Sequence, residues 1–194
     1  AVRGYNEFEL LGQTRDDAAG EAFDKIARVM GYPYPGGPRI DRLAMRGNPE
    51  AVAFPHAMSK EKNFDFSFSG LKSAVLNYLH TAEMKGEKIC IPDTAASFQK
   101  AVTDVLTEKA MRALQVTGMK TLSLAGGVAA NSGLRKALAE ACGNKGIRLC
   151  CPDSILCTDN GAMIACRAYY MALNGRYASM NLNADPRLPF LSMR

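Results

Sequence analysis

The chain has 194 residues, of which 47% are hydrophobic and 22% charged, and 24 Lys and Arg against 19 Asp and Glu give a formal net charge of +5. These values are typical of a globular protein with a buried core, and no apolar run approaches the ~18 residues of a membrane-spanning helix. The basic residues are scattered, so the charge is compatible with a polyanionic partner without requiring one. Because the chain begins without Met and without a secretion signal, we expect a piece of a longer cytoplasmic protein.

The N-terminal half is predicted to contain one strand and several helices. Alternating apolar residues predict a strand over residues 7–14, and an apolar face of helical period predicts a helix over 16–30 that stops at Gly31. The segment PYPGGPRID predicts a tight loop, because proline fixes φ and glycine permits positive φ. A short helix over residues 39–46 is expected to follow.

Residues 47–69 are expected to be irregular, with prolines and the aromatic run FDFSF. Ser69 is expected to cap a helix that ends near His80 and is followed by a polar linker, EMKGEK. The remaining chain alternates helices and strands, predicted as a helix over 93–116, a strand over 121–125, a helix over 132–142, a strand over 147–151 and a helix over 158–173. This βαβα order predicts two parallel, neighbouring strands.

Six cysteines and two histidines are the candidate soft metal ligands, namely Cys90, Cys142, Cys150, Cys151, Cys157 and Cys166, with His56 and His80. The cysteines form no C-x-x-C pair, and both histidines are distant from them in sequence, so the short spacing of zinc ligands is missing. The pattern therefore predicts reduced, buried thiols in a cytoplasmic protein.

The glycine loop in LAGGVAANSGLR joins a predicted strand to a predicted helix. Gly126 and Gly127 would let the backbone approach a ligand, and the helix that begins near Asn131 would offer unpaired N–H groups to an anionic or nucleotide ligand. The motif is neither a Walker loop nor G-x-G-x-x-G, and a glycine pair after a strand is by itself more often a plain tight turn. Asn131 is expected either to cap the helix or to reach a ligand.

Two further segments combine carboxylates with helix starts or glycines. Asp17 and Asp24 are seven residues apart on one helix face, and Asp24 lies too far from the helix N-terminus to serve the helix dipole. Gly37 and Asp41 follow in the next loop, where the alternative is a simple connector. Carboxylates accept hydrogen bonds from vicinal hydroxyls, which is typical of ribose recognition.

The segment ILCTDNGAMIA is the last candidate. Thr158 or Asp159 is expected to cap the final helix, and Asp159 is also a candidate metal-linked or phosphate-linked carboxylate.

Five segments in this order closely resemble the tRNA threonylcarbamoyladenosine transferase family (TsaD type), formerly labelled O-sialoglycoprotein endopeptidase or glycoprotease; they are DDAAGEAFDK, YPGGPRID, FSFSGLKSAV, AGGVAANSGLR and CTDNGAMIA. The resemblance runs from about Tyr5 to Tyr170. It implies an α/β fold, an actin-like ATPase lobe of the ASKHA, ribonuclease H-like type with a helical insertion. The chain, 1–194, would be the C-terminal nucleotide-binding lobe, divided into a mainly helical insertion over 15–92, a βαβα core over 93–175 and a tail over 176–194.

The resemblance implies a tRNA-modifying acyltransferase. A threonylcarbamoyl group, carried as a mixed anhydride with AMP, moves to the exocyclic amine of the adenosine beside the tRNA anticodon. The implied cofactor is one iron or zinc ion. The implied partners are threonylcarbamoyl-AMP, ATP or AMP, tRNA and, in the bacterial complex, a degenerate related subunit and a small ATPase, with no membrane partner.

The resemblance and the glycine loop together assign nucleotide or substrate contacts to Asp24, Gly37, Asp41, Gly126, Gly127 and Asn131, a metal contact to Asp159, and no catalytic residue. The family's two metal-binding histidines, spaced H-x-x-x-H, have no counterpart, since His56 and His80 stand in another context. We therefore expect the N-terminal lobe to be absent, the metal site to be incomplete, and the chain alone to bind nucleotide weakly or not at all and not to catalyse.

Three other functions remain as alternatives. A metalloendopeptidase would need H-E-x-x-H, which the sequence lacks. An ATP-dependent kinase or chaperone lobe would show ATP hydrolysis stimulated by its substrate or by a peptide. A non-enzymatic partner subunit is disfavoured because Asp24, Asn131 and Asp159 are retained.

Overall fold

The computed structural model describes residues 1–56 and 61–184, which form a mixed α/β structure. Its strands and helices are, in chain order, β1 (Val2–Gly4), β2 (Glu7–Phe8), α1 (Ala19–Val29), α2 (Gly37–Ala44), α3 (Ser69–Lys85), α4 (Ile91–Thr117), β3 (Thr121–Ser123), α5 (Ser132–Gly143), β4 (Arg148–Cys150) and α6 (Gly161–Leu173). Short 3-10 turns occupy Gly127–Ala130 and Ser154–Leu156. No helix within the described ranges is long and apolar enough to cross a membrane.

The chain divides into two compact units. The larger is Gly12–Cys157, and the smaller joins Ala1–Leu11 to the residues from Thr158 onward. The predicted division into an insertion over 15–92, a core over 93–175 and a tail over 176–194 stays a prediction, and positions 185–194 of that tail lie outside the described residues.

The core of the larger unit forms where α1, α3 and α4 pack together. The predicted apolar face of α1 lies in this core, buried or partly buried, and the rings of Phe23 on α1 and Phe98 on α4 meet edge to face with centroids 5.1 Å apart. Helix α2 adds Ile40, which has no exposed surface. Burying a large apolar side chain stabilises a fold by about 1.5–3 kcal/mol, so this cluster fixes α1 and α2 against α4.

The predicted pair of parallel strands is confirmed. β3 and β4 pair in parallel, with Leu122 opposite Leu149, and each strand is two residues shorter than predicted. The ladder stops after Leu124 donates its N–H to the Cys150 carbonyl, because Gly126 then takes a φ of 85° that leads the chain out of the strand.

The prediction of one strand over residues 7–14 is wrong in extent. β2 covers only Glu7–Phe8 and pairs antiparallel with β1, while Thr14 forms an isolated parallel bridge to Phe66. The partner of Thr14 is 52 residues away, so local alternation could not reveal it.

The prediction that Ser69 caps α3 is wrong: Ser69 is the first residue of the helix, Phe68 is the N-cap, and a distant carboxylate accepts from the N–H groups at the helix start. Asp16 Oδ1 accepts hydrogen bonds from the backbone N–H groups of Phe68 (2.8 Å) and Ser69 (3.4 Å), and Asp16 Oδ2 accepts from the hydroxyls of Ser67 and Ser69. Burial opposes ionisation, but these donors outweigh it and lower the pKa of Asp16 to about 2.

The predicted polar linker after α3 is partly helical. The helix continues to Lys85 and ends where Gly86 adopts a left-handed φ of 67°. Glu83, Met84 and Lys85 are good helix formers, so the helix runs on until a glycine stops it.

The segment before α3 is held to α4 by two cations. The Lys109 ammonium, which is 1% exposed, donates to the main-chain carbonyl of Asp65, and Arg112 donates to the carbonyls of Glu61 (2.9 Å) and Asn63. Both cations also lie over phenylalanine rings of the same segment. Burial, followed by the charge of Arg112, lowers the pKa of Lys109.

In the smaller unit, the β1–β2 hairpin packs on α6. The rings of Tyr5 and Tyr170 stack with their centroids 3.4 Å apart, and Arg167 donates to the Tyr5 carbonyl and to Asn6 Oδ1. Among its described residues α6 buries no side chain, although it is apolar.

The prediction of buried thiols is wrong for half of the cysteines. All six thiols in the described ranges are free, and Cys142 and Cys157 are buried, but Cys90, Cys151 and Cys166 are exposed. These three lie at a helix start, after a strand and on α6, where the apolar pattern does not correspond to a buried face.

Candidate functional site

Asp24 joins α1 to the beginning of α2. Its Oδ1 accepts hydrogen bonds from the N–H groups of Gly36 (2.7 Å), which precedes α2, and of Gly37 (3.3 Å), its first residue. Gly36 is the N-cap of α2 and has no side chain to accept these bonds. Asp24 therefore supplies a negative charge at the positive end of α2, where the helix dipole favours it.

The two adjacent glycines have different reasons to be glycine. A Cβ on Gly36 would lie 2.5 Å from Ala27 Cβ and 2.8 Å from Asp24 Cα, so the packing of α2 on α1 requires glycine there. A Cβ on Gly37 would meet no described heavy atom within 4 Å. The fold leaves Gly37 with an open face, which is what close approach of a ligand to the backbone would need.

Asn131 is the local cap of α5. Its Oδ1 accepts from the Leu134 N–H (2.8 Å), its Nδ2 donates to Gln99 Oε1 (2.7 Å), and only 8% of the residue is exposed. Of the two roles considered from sequence, the structure displays the cap, and the contact of Asn131 with a ligand stays a prediction.

Asp41 links α2 to α5. Its carboxylate accepts from the Ser132 N–H (3.1 Å to Oδ2) and from the Ser132 hydroxyl (2.8 Å to Oδ1). Asp41 is thus a second cap for α5 beside Asn131, and it ties together two helices that are 91 residues apart in the sequence.

The glycine loop lies next to α1. Val128 Cγ2 would be 3.3 Å from a Cβ on Gly20, so α1 approaches the loop at a glycine. An added Cβ on Gly126 or Gly127 would meet no described heavy atom within 4 Å. The loop is therefore open at both glycines, although Gly126 also needs glycine for its φ of 85°.

These contacts bring Asp24, Gly37, Asp41 and Asn131 into one region of the larger unit, where α1, α2, the glycine loop and α5 meet. The helix N-termini of this region already receive protein carboxylates, so a bare phosphate would compete with Asp24 and Asp41 for N–H groups. Hydroxyl groups, by contrast, can donate to the remaining lone pairs of these carboxylates. The arrangement therefore suits a ligand that carries hydroxyls, such as the ribose of a nucleotide.

Asp159 belongs to the smaller unit and is exposed. The prediction that Thr158 or Asp159 caps α6 is wrong: Asn160 is the N-cap, and its Oδ1 accepts from the Met163 N–H (3.1 Å). Across residues 1–56 and 61–184, no three His, Cys, Asp or Glu side chains are grouped as a metal ion requires. The residues described do not by themselves form a metal centre.

Sequence reasoning missed Gln99, Ser132 and Asp16, which hold the region and its surroundings together. Gln99 fits against Asn131 because Gly133 leaves room for it, since a Cβ on Gly133 would lie 2.6 Å from Gln99 Nε2. A polar residue on the buried face of α4 was the available signal for Gln99, whereas nothing local marks the long-range partners of Ser132 and Asp16.

Comparison with known proteins adds an independent observation. The family model described as tRNA N6-adenosine threonylcarbamoyltransferase (TsaD) matches residues 1–166. Curated proteins of that name are similar to the chain. That of Clostridioides difficile (strain 630) is 54% identical over 187 residues, which cover 96% of this chain and 55% of the relative. That of Desulfitobacterium hafniense (strain Y51) is 57% identical over 185 residues, 95% of this chain and 54% of the relative.

The chain thus spans about half the length of the curated relatives it matches. The family match covers most of its 194 residues and includes every position of the candidate site. By this match, the chain belongs to the tRNA N6-adenosine threonylcarbamoyltransferase family.

Proposed function

We propose that this chain is the nucleotide-binding lobe of a cytoplasmic tRNA-modifying acyltransferase, with an actin-like, ribonuclease H-like fold and a helical insertion. In the proposed reaction the exocyclic amine of an adenosine in tRNA attacks the carbamoyl carbon of threonylcarbamoyl-AMP. A C–N bond forms, the C–O bond to the AMP phosphate breaks, and the amine loses a proton as AMP leaves. The family membership and the names of the relatives support this reaction.

One observation carries the proposal: the convergence of Asp24, Gly37, Asp41 and the glycine loop in one region of the larger unit. The acidic side chains would accept hydrogen bonds from ribose hydroxyls, and a hydrogen bond to a charged group contributes about 1.5–3 kcal/mol. The open faces of Gly37, Gly126 and Gly127 would admit the flat base or the phosphate linkage close to the backbone. Asn131 would hold the edge of the site by fixing the start of α5.

The described residues alone do not provide a complete set of ligands for the implied metal ion. Iron or zinc would polarise the carbamoyl oxygen or bind the adenylate, and Asp159 would supply one ligand. Since one carboxylate is a poor metal site, the other ligands would come from the part of the relatives' length that this chain does not match. We also propose tRNA, ATP or AMP, a degenerate related subunit and a small ATPase as partners.

The site is tested by titrating AMP into ¹⁵N-labelled chain and following backbone amide signals. We expect the Gly37, Gly126 and Gly127 signals to shift, with a dissociation constant in the millimolar range, because half of the ligand's surroundings are missing. Asp24→Asn should weaken binding by about tenfold, the loss of one charged hydrogen bond. The matched control is Asp153→Asn, an exposed aspartate of the same unit whose side chain makes no cap contact.

Two results would overturn the proposal. Shifts confined to residues outside the region would show that the glycines do not face a nucleotide. A sub-micromolar affinity for AMP, or transfer of threonylcarbamoyl to tRNA by this chain alone, would show that no facing lobe is needed. Transfer is measured by digesting the tRNA and detecting the modified nucleoside by mass spectrometry.

A further inference from the structure

The outward face of α2 carries a row of arginines. Arg39, Arg42 and Arg46 are spaced i, i+3 and i+7, which places them on one side of the helix and its C-terminal extension. Together with Tyr32 and Leu43 they line a groove of about 170 Å³. We call this feature the arginine groove.

The charges of the arginine groove are not compensated within the described chain. None of its three guanidinium groups lies within ion-pair distance of a described carboxylate, and the one recorded contact is Arg42 Nε donating to the Pro38 carbonyl (3.1 Å). Asp41, which lies between Arg39 and Arg42 in the sequence, directs its carboxylate to Ser132 on α5, and Glu50, the acid nearest to Arg46, pairs with Lys100. Three adjacent positive charges therefore face solvent together.

Helix stability does not explain all three arginines. Arg42 and Arg46 stand at the C-terminal end of α2, where the helix dipole favours cations, but Arg39 stands in the first turn, where it disfavours them. The opposite face of α2 is occupied by Ile40 in the core. Arg39 is thus unfavourable for the stability of α2 itself. Its position instead extends the row of positive charge formed by Arg42 and Arg46.

We propose that the arginine groove binds the sugar-phosphate backbone of the tRNA substrate, an inference that rests on the proposed function. Arg46 lies two residues past the end of α2, and at helical rise the row from Arg39 to Arg46 is about 10 Å long. A nucleic-acid strand carries one phosphate per ~3.4 Å of helix axis, so the row spans about three phosphates. Arginine forks bind phosphate oxygens in pairs, and the ring of Tyr32 offers a surface on which a base can stack.

The position of the groove agrees with this partner. Arg39 is two residues from Gly37, so an RNA strand on the groove would pass the candidate nucleotide site. A membrane surface fits less well, because helices that lie on membranes expose an apolar face, and the apolar side of α2 is buried against α4. Anionic vesicles therefore serve as the competing arm of the test.

The test compares two triple variants of the full chain that lose the same charge. One is Arg39→Gln, Arg42→Gln and Arg46→Gln; the control is Lys120→Gln, Lys145→Gln and Arg148→Gln, three exposed cations of the same unit. Binding of fluorescein-labelled unmodified tRNA is followed by anisotropy between about 50 and 300 mM salt. We expect the groove variant to bind tRNA about 30- to 100-fold more weakly at ~150 mM salt. The slope of its log binding constant against log salt concentration should be shallower by about two. The affinity of the control variant should change less than about threefold.

A charge-conserving variant distinguishes the loss of charge from a loss of folded structure. Arg39→Lys, Arg42→Lys and Arg46→Lys should keep the salt dependence and lose only a few-fold in affinity, since lysine remains a point charge for phosphate. The proposal is overturned if both glutamine variants weaken binding equally, if neither does, or if vesicles containing phosphatidylserine bind more tightly than tRNA with the same arginine dependence.

The AMP titration of the groove variant separates the two proposals. Unchanged shifts at Gly37, Gly126 and Gly127 with a weakened affinity for tRNA support both. If those glycines do not respond to AMP in any variant, the nucleotide site fails while the arginine dependence of tRNA binding still decides the groove.

Discussion

Helices α2 and α5 begin in different ways. α5 carries its own cap, because the Asn131 side chain accepts from the Leu134 N–H three residues later. α2 begins with two glycines and receives its cap from Asp24, twelve residues earlier on α1. A local cap forms with the helix itself, whereas a remote cap forms only when two helices have docked. The start of α2 therefore depends on the packing of α2 against α1. Because Asp41 on α2 accepts from Ser132, the start of α5 depends in turn on the position of α2.

The largest effect expected from breaking the remote cap comes from a single methyl group. Gly36→Ala should lower the free energy of unfolding by about 3 kcal/mol, because its Cβ would overlap Ala27 and push α2 away from Asp24. Gly37→Ala, the adjacent control, should change it by less than about 0.5 kcal/mol, since its Cβ enters open space. Urea unfolding followed by circular dichroism measures both, and equal losses would contradict the distinction between the two glycines.

Loss of Asn131, the local cap of α5, is expected to lower the free energy of unfolding somewhat less than Gly36→Ala does. Asn131→Ala should cost about 2 kcal/mol, because it removes the cap of α5 and leaves the Gln99 side chain buried without its donor. Adding Gln99→Leu should recover part of the loss by removing the orphaned amide. If the double variant were no more stable than Asn131→Ala, the Gln99 contact would not account for any of the effect.

The remote cap should tolerate loss of charge better than loss of packing. Asp24→Asn keeps an oxygen acceptor for the Gly36 and Gly37 N–H groups and should cost about 1 kcal/mol. Glu21→Gln, a change of the same kind on an exposed acid of α1, should cost less than about 0.5 kcal/mol. If Glu21→Gln lowered the free energy of unfolding as much as Asp24→Asn, the effect would come from the change in net charge and not from the cap.

Asp16 gives the remote cap of α3 a dependence on pH. Its pKa is about 2 in the folded chain against 3.8 in the unfolded one, so its stabilisation is present above about pH 4 and is lost as pH falls towards 2. Because this carboxylate is largely exposed, solvent screening reduces the effect to about 1 kcal/mol. In Asp16→Asn the free energy of unfolding, measured with urea, should fall by that much less between pH 5 and 2. The same fall in the variant and in the unchanged chain would refute the assignment.

The smallest expected effect tests the cap of α6. Asn160→Ala should cost about 0.5–1 kcal/mol because it removes the acceptor of the Met163 N–H. Asp159→Ala should leave stability unchanged within about 0.3 kcal/mol, since the cap is the neighbouring residue. Hydrogen exchange of the Met163 amide reports the loss of the cap directly. Faster exchange in Asp159→Ala but not in Asn160→Ala would show that Asp159 is the cap, as predicted from sequence.

Sequence patterns predicted the parts of the fold that depend on local periodicity. The apolar stripe around Phe98 and Val102 identified α4, and two short apolar runs identified the parallel pair of β3 and β4. The end of α3 was misplaced because a helix continues through residues of good propensity until a glycine such as Gly86 allows the left-handed turn.

The long-range connections could not be predicted from one sequence. The bonds of Asp16 to Ser69 and of Asp41 to Ser132 join residues 53 and 91 positions apart, and their formation depends on how helices pack. At Thr158, Asp159 and Asn160 three good cap residues stand in a row, and only the position where the backbone turns helical selects Asn160. The candidate site was therefore predicted as a set of residues, while the partners that position them came from the fold.

The attachment of the segment before α3 has a further consequence for how this family's sequences can vary. Lys109 and Arg112 bind main-chain carbonyl oxygens at three positions, and every amino acid supplies such an oxygen. Exchange of the Glu61 or Asn63 side chain would accordingly leave these bonds to α4 in place, whereas the Asp65 carboxylate also accepts hydrogen bonds from Gln13 and Arg15. The two cations, by contrast, are expected to be resistant to substitution.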